Sequence, residues 1–467
     1  MMISTDSLRS AISSAETDFL TCWDVLTSMK YGPIPGDFAE KALRFQPLLA
    51  KAIFKLDQFY RELRRAEHAT VERKGSMVRD EFPGEMRRLA SYRVAIKETL
   101  ALGRALGDAF AWFFYRKSQY MLEKHVAHAA IRHSPPGIGG RGELAFISNI
   151  RPDGAMLLFH GITTFLRLGD VSFVDLKRGD VVALGELKTI KQEGNQYSIQ
   201  LHMIGSDKTR IPLQTVTPTP GTNEPSELSP RFKRRLDQQL KAMVPGLRDK
   251  PAELRSSILD GYHVDSLQNL SASLETNNYA YEQAGEGLLL VGLKVRPEMS
   301  FTDRLMSSED LDLKESLRDL PAKAVQLMDL QSTDNSILMG ALSFRFQLGC
   351  APLFWLPVSA DFTRELYFGG VVIQTIYNPS YFQKRLKQMG FRIEGHIGEP
   401  NCKIERSLEG GRVTGLENVL WFLSAIRNHL LKEDKVIEML SELMGRTERG
   451  EIPVNSKVQF QMSTHFM

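Results

Sequence analysis

Apolar residues in the first third of the chain return every three or four positions. Leu48, Leu49, Ala52, Ile53, Leu56 and Tyr60 share one side of a helix. A longer run from Met86 to Ala130 carries Leu100, Leu102, Leu106, Phe110, Phe113 and Phe114. Its segment Gly107 to Phe114 is apolar nearly all round, which predicts a helix at the centre of the packing. Pro135 and Pro136, followed by Gly137, Gly139 and Gly140, predict a break and a turn. From Gly154 to Ile204 the period changes from helical to alternating. Asp170 to Leu176 and Val181 to Thr189 flank the short connection Lys177 to Asp180, a hairpin pattern, and Gln196 to Ile204 reads as a third strand.

Thr215 to Pro230 holds four prolines and predicts a linker. A basic helix over Arg231 to Met243 and a buried strand over Gly287 to Val295 follow. Beyond that point strands are expected over Ile337 to Phe346, Ala351 to Val358 and Leu366 to Ile376, with helices over Ser380 to Met389 and Leu416 to Met444. The pattern predicts three regions: a helical N-terminal region (1–136), a central core (137–296) and an α+β C-terminal region (297–467).

Composition narrows the class. The chain has 467 residues, 42% hydrophobic and 25% charged, the balance of a folded protein with real cores. Net charge is only +3, which excludes a bulk polycation, so a nucleic-acid surface has to be a local patch. Residues 1–135 are mildly basic, with 21 Lys and Arg against 16 Asp and Glu, as a solvated helical face would be. Cys22, Cys350 and Cys402 form neither a CxxC pair nor a zinc spacing and suit a reducing cytoplasm. The N-terminal residues show no basic segment followed by an apolar run, and the most apolar windows (Gly287 to Val295, Ala351 to Val358) are too short to span a bilayer, so no membrane role is expected.

The candidate chemistry lies on the hairpin. Side chains alternate along a strand, so Glu186 and Lys188 point one way and Leu187 the other. Asp170 opens the neighbouring strand, within reach of Glu186 across the hairpin. Two converging carboxylates make a hard-oxygen site for Mg²⁺ or Mn²⁺, and a lysine beside it can orient a water or stabilise charge developing on phosphorus. The order Gly169-Asp170, strand, turn, then Glu186-Leu187-Lys188 resembles the signature of the PD-(D/E)XK nuclease superfamily. That resemblance covers about residues 138–296 and implies an α/β restriction-endonuclease-like core. It implies that Asp170 and Glu186 bind the metal and that Lys188 assists the attacking water. It also implies an acidic residue on the helix before the sheet, for which Glu143 stands in order, and a glutamine on the helix after it, for which Gln238 and Gln239 are both candidates. The proline of the family's name is replaced here by Gly169. Glu-x-Lys also occurs at Glu72 and Glu433 in helical segments, so context rather than the letters favours Glu186. The competing reading is an ordinary hairpin whose charges form a surface salt bridge.

Arg231, Arg234, Arg235 and Gln238 share one face of the basic helix, a surface suited to a phosphate backbone if it lies beside the metal site and a solvated face otherwise. Gly137 to Gly142 matches GxGxxG but lacks the preceding strand of a dinucleotide site and reads as a turn. His125, His128 and His133 cluster without a zinc motif and read as ordinary helix histidines. The expected function is a metal-dependent nuclease acting on nucleic acid, DNA before RNA, with a protein partner or a homo-oligomer compatible with the large flanking regions. Standalone nucleases of this size resemble bacterial defence or restriction-type effectors. The alternative is a catalytically silent nuclease-fold protein that binds nucleic acid or assembles with a partner.

Overall fold

The computed structural model describes residues 3–31, 38–78, 80–116, 118–126, 138–149, 155–175, 180–191, 197–205, 230–248, 252–257, 261–307, 320–327, 337–395, 397–399, 401–416, 419–453 and 458–463. The chain is mixed helix and sheet with a helical N-terminal region, and it divides into two compact units, Met1–Asp249 and Lys250–Met467. Among the described residues no helix is long and apolar enough to cross a membrane.

The first unit opens with α1 (Thr5–Tyr31), α2 (Phe38–Glu72) and α3 (Glu81–Tyr115), followed by α4 (Gln119–Val126) and α5 (Ile138–Asn149). In α1 Leu8, Ile12, Ala15, Phe19, Cys22 and Leu26 recur at three- and four-residue steps and all are buried. That stripe packs on α2 and α3, and Phe45 of α2 stacks on Phe110 of α3 at 4.2 Å. As its composition predicts, the second half of α3 is enclosed on all sides: Leu106, Ala109, Phe110, Ala111 and Trp112 have no exposed surface.

A four-stranded antiparallel sheet follows in the order β1 (Ala155–Phe159), β2 (Val171–Asp175), β3 (Asp180–Lys191), β4 (Tyr197–Gly205), and α6 (Pro230–Arg248) packs on β3 and β4. The expected hairpin and third strand are all present; the connection at 176–179 and the linker at 215–229 lie outside the described residues.

The helices and the sheet form one body because α2 and α3 are bonded to the sheet and its loops. Gln46 of α2 uses its side-chain amide as a peptide would, donating to the Leu157 carbonyl (2.8 Å) and accepting from the Phe159 N–H (2.7 Å). Those groups lie on the outer edge of β1, so the amide closes that edge of the sheet. Asp108, with no exposed surface, accepts from both the N–H (2.7 Å) and the hydroxyl (2.6 Å) of Thr164 in the loop between β1 and β2. Gly107 beside it cannot carry a side chain, since a Cβ would stand 2.0 Å from the Ile162 carbonyl oxygen. The first compact unit therefore joins the expected helical region to the larger part of the expected core, up to Asp249.

The second unit contains β5 (Ala252–Ser257), α7 (Val264–Thr276), β6 (Tyr279–Ala284), β7 (Leu288–Lys294), α8 (Phe301–Met306), α9 (Leu320–Leu327), β8 (Leu338–Ala341), α10 (Ala360–Tyr367) and β9 (Val371–Tyr377). It continues with α11 (Ser380–Gln388), β10 (Arg392–Glu394), β11 (Lys403–Ser407), β12 (Val413–Leu416), α12 (Val419–His429), α13 (Glu433–Glu448) and β13 (Val458–Ser463). Its sheets run β6-β7-β9-β8 and β10-β11-β12, both antiparallel, and β5 pairs with β13 in parallel.

Four expectations need correction here. The strand at 288–294 does not follow β4 in the central sheet but sits between β6 and β9, so the boundary at residue 296 falls inside the second unit. Ala351 to Val358 is not a strand; Pro352 and Pro357 supply no N–H to a ladder, and 353–355 make a 3₁₀ turn. Leu366 to Ile376 divides into the end of α10 and β9 at Gly369 and Gly370. Leu416 to Met444 divides into α12 and α13, with Leu430 at φ +60° marking the break.

His429, the last residue of α12, is 8% exposed, and burial lowers its pKa from 6.5 to about 4. Above about pH 6.5 the ring is neutral in both folded and unfolded chains and its full stabilising effect is present. As pH falls the unfolded chain takes up the proton first, and stability is lost progressively down through the folded pKa. The loss expected from this one group between pH 6.5 and 4 is roughly 3 kcal/mol. Denaturant unfolding across that range checks it: wild type should show the decline, and His429→Gln should remove most of it.

Candidate active site

The site is built on the sheet. Val171, at the start of β2, pairs with Gly185. On the far side of β3, Glu186 pairs with His202 and Lys188 with Gln200. Residues directly opposite in an antiparallel sheet project from the same face. Glu186 and His202 thus share one face of β3 and β4, with Lys188 one repeat further along it, and Asp170 stands just ahead of β2 beside the same stretch of β3.

Each group is held. The Asp170 N–H donates to the Gly185 carbonyl (2.8 Å), and its carboxylate accepts from the Leu187 N–H (2.8 Å), so the carboxylate is pinned to the backbone that carries Glu186. The Lys188 ammonium donates to Glu186 Oε1 (2.9 Å) and to Gln239 Oε1 (3.1 Å). The Glu186 and Lys188 side chains are only 4% and 13% exposed, so the ion pair of the competing reading is present but largely buried rather than on the surface. Of the two candidate glutamines, Gln239 is the one at the site. Leu236 and Met243 bury the same side of α6, while Arg234, Asp237, Gln238 and Lys241 are exposed. Of the expected phosphate-binding face, Arg234 and Gln238 are exposed on α6, and the side chains of Arg231 and Arg235 lie outside the described residues.

The backbone at Gly169 requires a glycine. Its φ is +77°, which proline cannot adopt, and a Cβ would meet the Gly185 carbonyl oxygen at 2.6 Å and the Met243 methyl at 2.8 Å.

Behind the Gly169-Asp170 turn runs a buried chain of hydrogen bonds whose proton directions are fixed by its two ends. The Leu168 N–H can only donate, so His125 Nδ1 accepts (3.0 Å). His125 Nε2 then carries the proton and donates to the Tyr115 hydroxyl (3.0 Å), which donates to Ser172 Oγ (2.6 Å). Ser172 donates to His160 Nε2 (2.6 Å), and His160 Nδ1 donates to the Gly169 carbonyl (2.9 Å), which can only accept. Both rings are neutral in this arrangement, one proton each, in opposite tautomers. Burial pushes the Tyr115 phenol above its ordinary pKa, so it stays a donor. The chain starts and ends on consecutive residues of the turn that presents Asp170. His125 is thereby explained as a support of that turn rather than a zinc ligand; His128 and His133 lie outside the described residues.

Glu143 lies on α5, which packs against β3 and β4. Phe146 and Ile147, three and four residues further on, enclose a small apolar space with Leu157, Phe159 and Val171, so the stripe that includes Glu143 is the sheet-facing one. The structure does not gather Glu143, Asp170 and Glu186 into one cluster: among the described residues no group of three or more His, Cys, Asp and Glu stands in metal-holding geometry. Gly139, Gly140 and Gly142 of the GxGxxG match lie inside α5, not in a turn.

His202 was not singled out in the sequence. It is half-buried, and burial together with the Lys188 charge holds its ring below the ordinary histidine pKa, so it is neutral at pH 7. Its Nε2 is buried without a hydrogen-bond partner among the described residues. The only sequence signal for it is the register of the third strand, counted back from Glu186. Glu186 and His202 set a carboxylate and an imidazole on one face with Asp170 nearby, but among the described residues the three do not form a metal-holding group.

No family model matches the chain, and neither the curated proteins nor the solved structures searched contain a match.

Proposed function

We propose that this chain is a metal-dependent phosphodiesterase of the PD-(D/E)XK kind that hydrolyses nucleic acid, with DNA the first substrate to test. The observation that carries the reading is Glu186 paired with His202 on adjacent strands, Asp170 bonded to the backbone beside Glu186, and Lys188 bonded to both Glu186 and Gln239. Asp170, Glu186 and His202 would hold Mg²⁺ or Mn²⁺, and Glu143 would join through the sheet-facing side of α5. When bound, such an ion polarises a phosphate and lowers the pKa of a coordinated water. The residues of the chain do the rest. The Leu187 N–H fixes the rotamer of Asp170. Gln239 keeps the Lys188 ammonium on the face where charge would build on phosphorus. The low exposure of Glu186 and Lys188 limits water around them, which strengthens those charges.

A second reading rests on a specific observation. Lys188 already occupies one Glu186 oxygen, and the acids are not gathered as a preformed three-ligand cluster. A protein that keeps this arrangement would bind nucleic acid, or a partner, without cutting. Incubating the full chain with supercoiled plasmid, linear duplex, single-stranded DNA and RNA in Mg²⁺ and in Mn²⁺ separates the two. Cleavage that needs the metal, and runs faster in Mn²⁺ because of the histidine nitrogen, is expected. Tight binding with no cleavage in either metal would replace the first reading with the second.

A further inference from the structure

Between α1, α2 and α5 lies an open cleft of about 940 Å³, within the size range of small-molecule sites. It opens where Pro47 interrupts α2: the proline gives no N–H to the Leu43 carbonyl one turn earlier, its ring crowds that turn, and both residues line the cleft. Val25, Leu43, Leu48 and Leu144 give it apolar walls, with the hydroxyls of Thr21 and Ser28 on the α1 side. The charge around it is unequal, with Lys41, Arg44 and Lys51 against Asp24.

The cations are placed in a pattern. Arg44, Leu48 and Lys51 stand at i, i+4 and i+7, one stripe of α2, so two positive groups about 10 Å apart along the axis flank an apolar side chain. Both cations are exposed, and Arg44 forms no ion pair among the described residues. Lys51 lies in the field of Asp18, which it shares with Lys55. A ligand lying along α2 would meet charge, apolar surface, then charge again.

We propose that this cleft binds a small organic anion with an apolar body, its acidic head on one of the two cations, Arg44 or Lys51, and its body against Leu48, Val25 and Leu144. Two sources share that chemistry, a nucleotide and a fatty acid. The site stands apart from the metal centre. Helix α5 turns Leu144 and Ala145 to the cleft and the stripe of Glu143, Phe146 and Ile147 to the sheet, so the ligand would touch the reverse side of the helix that carries Glu143. Binding does not depend on any nuclease activity, so the two proposals fail separately.

The test is a fluorescence titration of the full chain with 1-anilinonaphthalene-8-sulfonate, an anion with an apolar body. Saturable binding is expected, with displacement by adenosine monophosphate or by decanoate identifying the source. The double change Arg44→Glu, Lys51→Glu affects exposed positions and should leave the fold intact while weakening binding at least ~10-fold. Leu48→Trp, which fills the apolar floor, should abolish it. Circular dichroism confirms that each variant is folded, and the charge reversal carries the test if Leu48→Trp is not. Absence of saturation, displacement by neither anion, or unchanged affinity in either folded variant overturns the proposal.

Discussion

If the proposed function holds, Glu186→Gln is expected to reduce metal-dependent cleavage by about 10³-fold or more, because it removes the carboxylate charge that would hold the metal. Its cost in stability should be smaller, about 1–2 kcal/mol, since the amide oxygen still accepts from the Lys188 ammonium. Lys188→Met should be equally inactive but much less stable, by about 3–5 kcal/mol, because it leaves the Glu186 carboxylate buried without its cation. The double variant Glu186→Gln, Lys188→Met should recover most of that stability and remain inactive. Cleavage rates and denaturant melts on the three proteins separate a site that works from a pair that only folds. A well-folded double variant with wild-type cleavage would place the chemistry elsewhere in the molecule.

The second large effect is expected from Ser172→Ala, a change of one oxygen atom. Ser172 accepts from Tyr115 and donates to His160, and it has no exposed surface. Its loss strands two buried polar groups at about 1–3 kcal/mol each, a total of roughly 2–6 kcal/mol. Because the chain of hydrogen bonds ends on the Gly169 carbonyl, the turn that presents Asp170 should loosen as well, weakening Mn²⁺ binding about 10–100-fold by calorimetry. A core truncation of similar cost in the helical bundle, Ile12→Ala, should leave Mn²⁺ affinity unchanged. Equal metal affinities in the two variants would reduce the network to a purely structural role.

Much of the first unit is legible in the sequence because its signals are local. The three- and four-residue spacing of α1 to α3, the enclosed apolar half of α3, and the hairpin of β2 and β3 all follow from short-range pattern. The shared face of Glu186 and Lys188 follows from strand alternation, and Asp170 from its place at the start of the partner strand. What escapes the sequence depends on distant contacts. The choice between Gln238 and Gln239 is made by the side of α6 that Leu236 and Met243 bury. His202 meets Glu186 through a register that the sequence alone leaves open. Tyr115 and Ser172, 57 positions apart, join only after α3 docks under the sheet. In the second unit, β10, β11 and β12 are short and largely polar, so no periodicity announces them. Apolar runs such as Ala351 to Val358 look like strands until their prolines are counted against a ladder.

The bond between Gln46 and the outer edge of β1 bears on how the protein can be divided. A fragment cut to begin at the sheet would expose the Leu157 carbonyl and the Phe159 N–H along a strand flanked by Met156 and Leu158, both fully buried in the intact chain. Such an edge is a template for another strand, and the fragment would polymerise rather than stay a monomer. Helix α2 thus covers that edge of the sheet, and a piece expressed alone has to keep Gln46 to leave it closed.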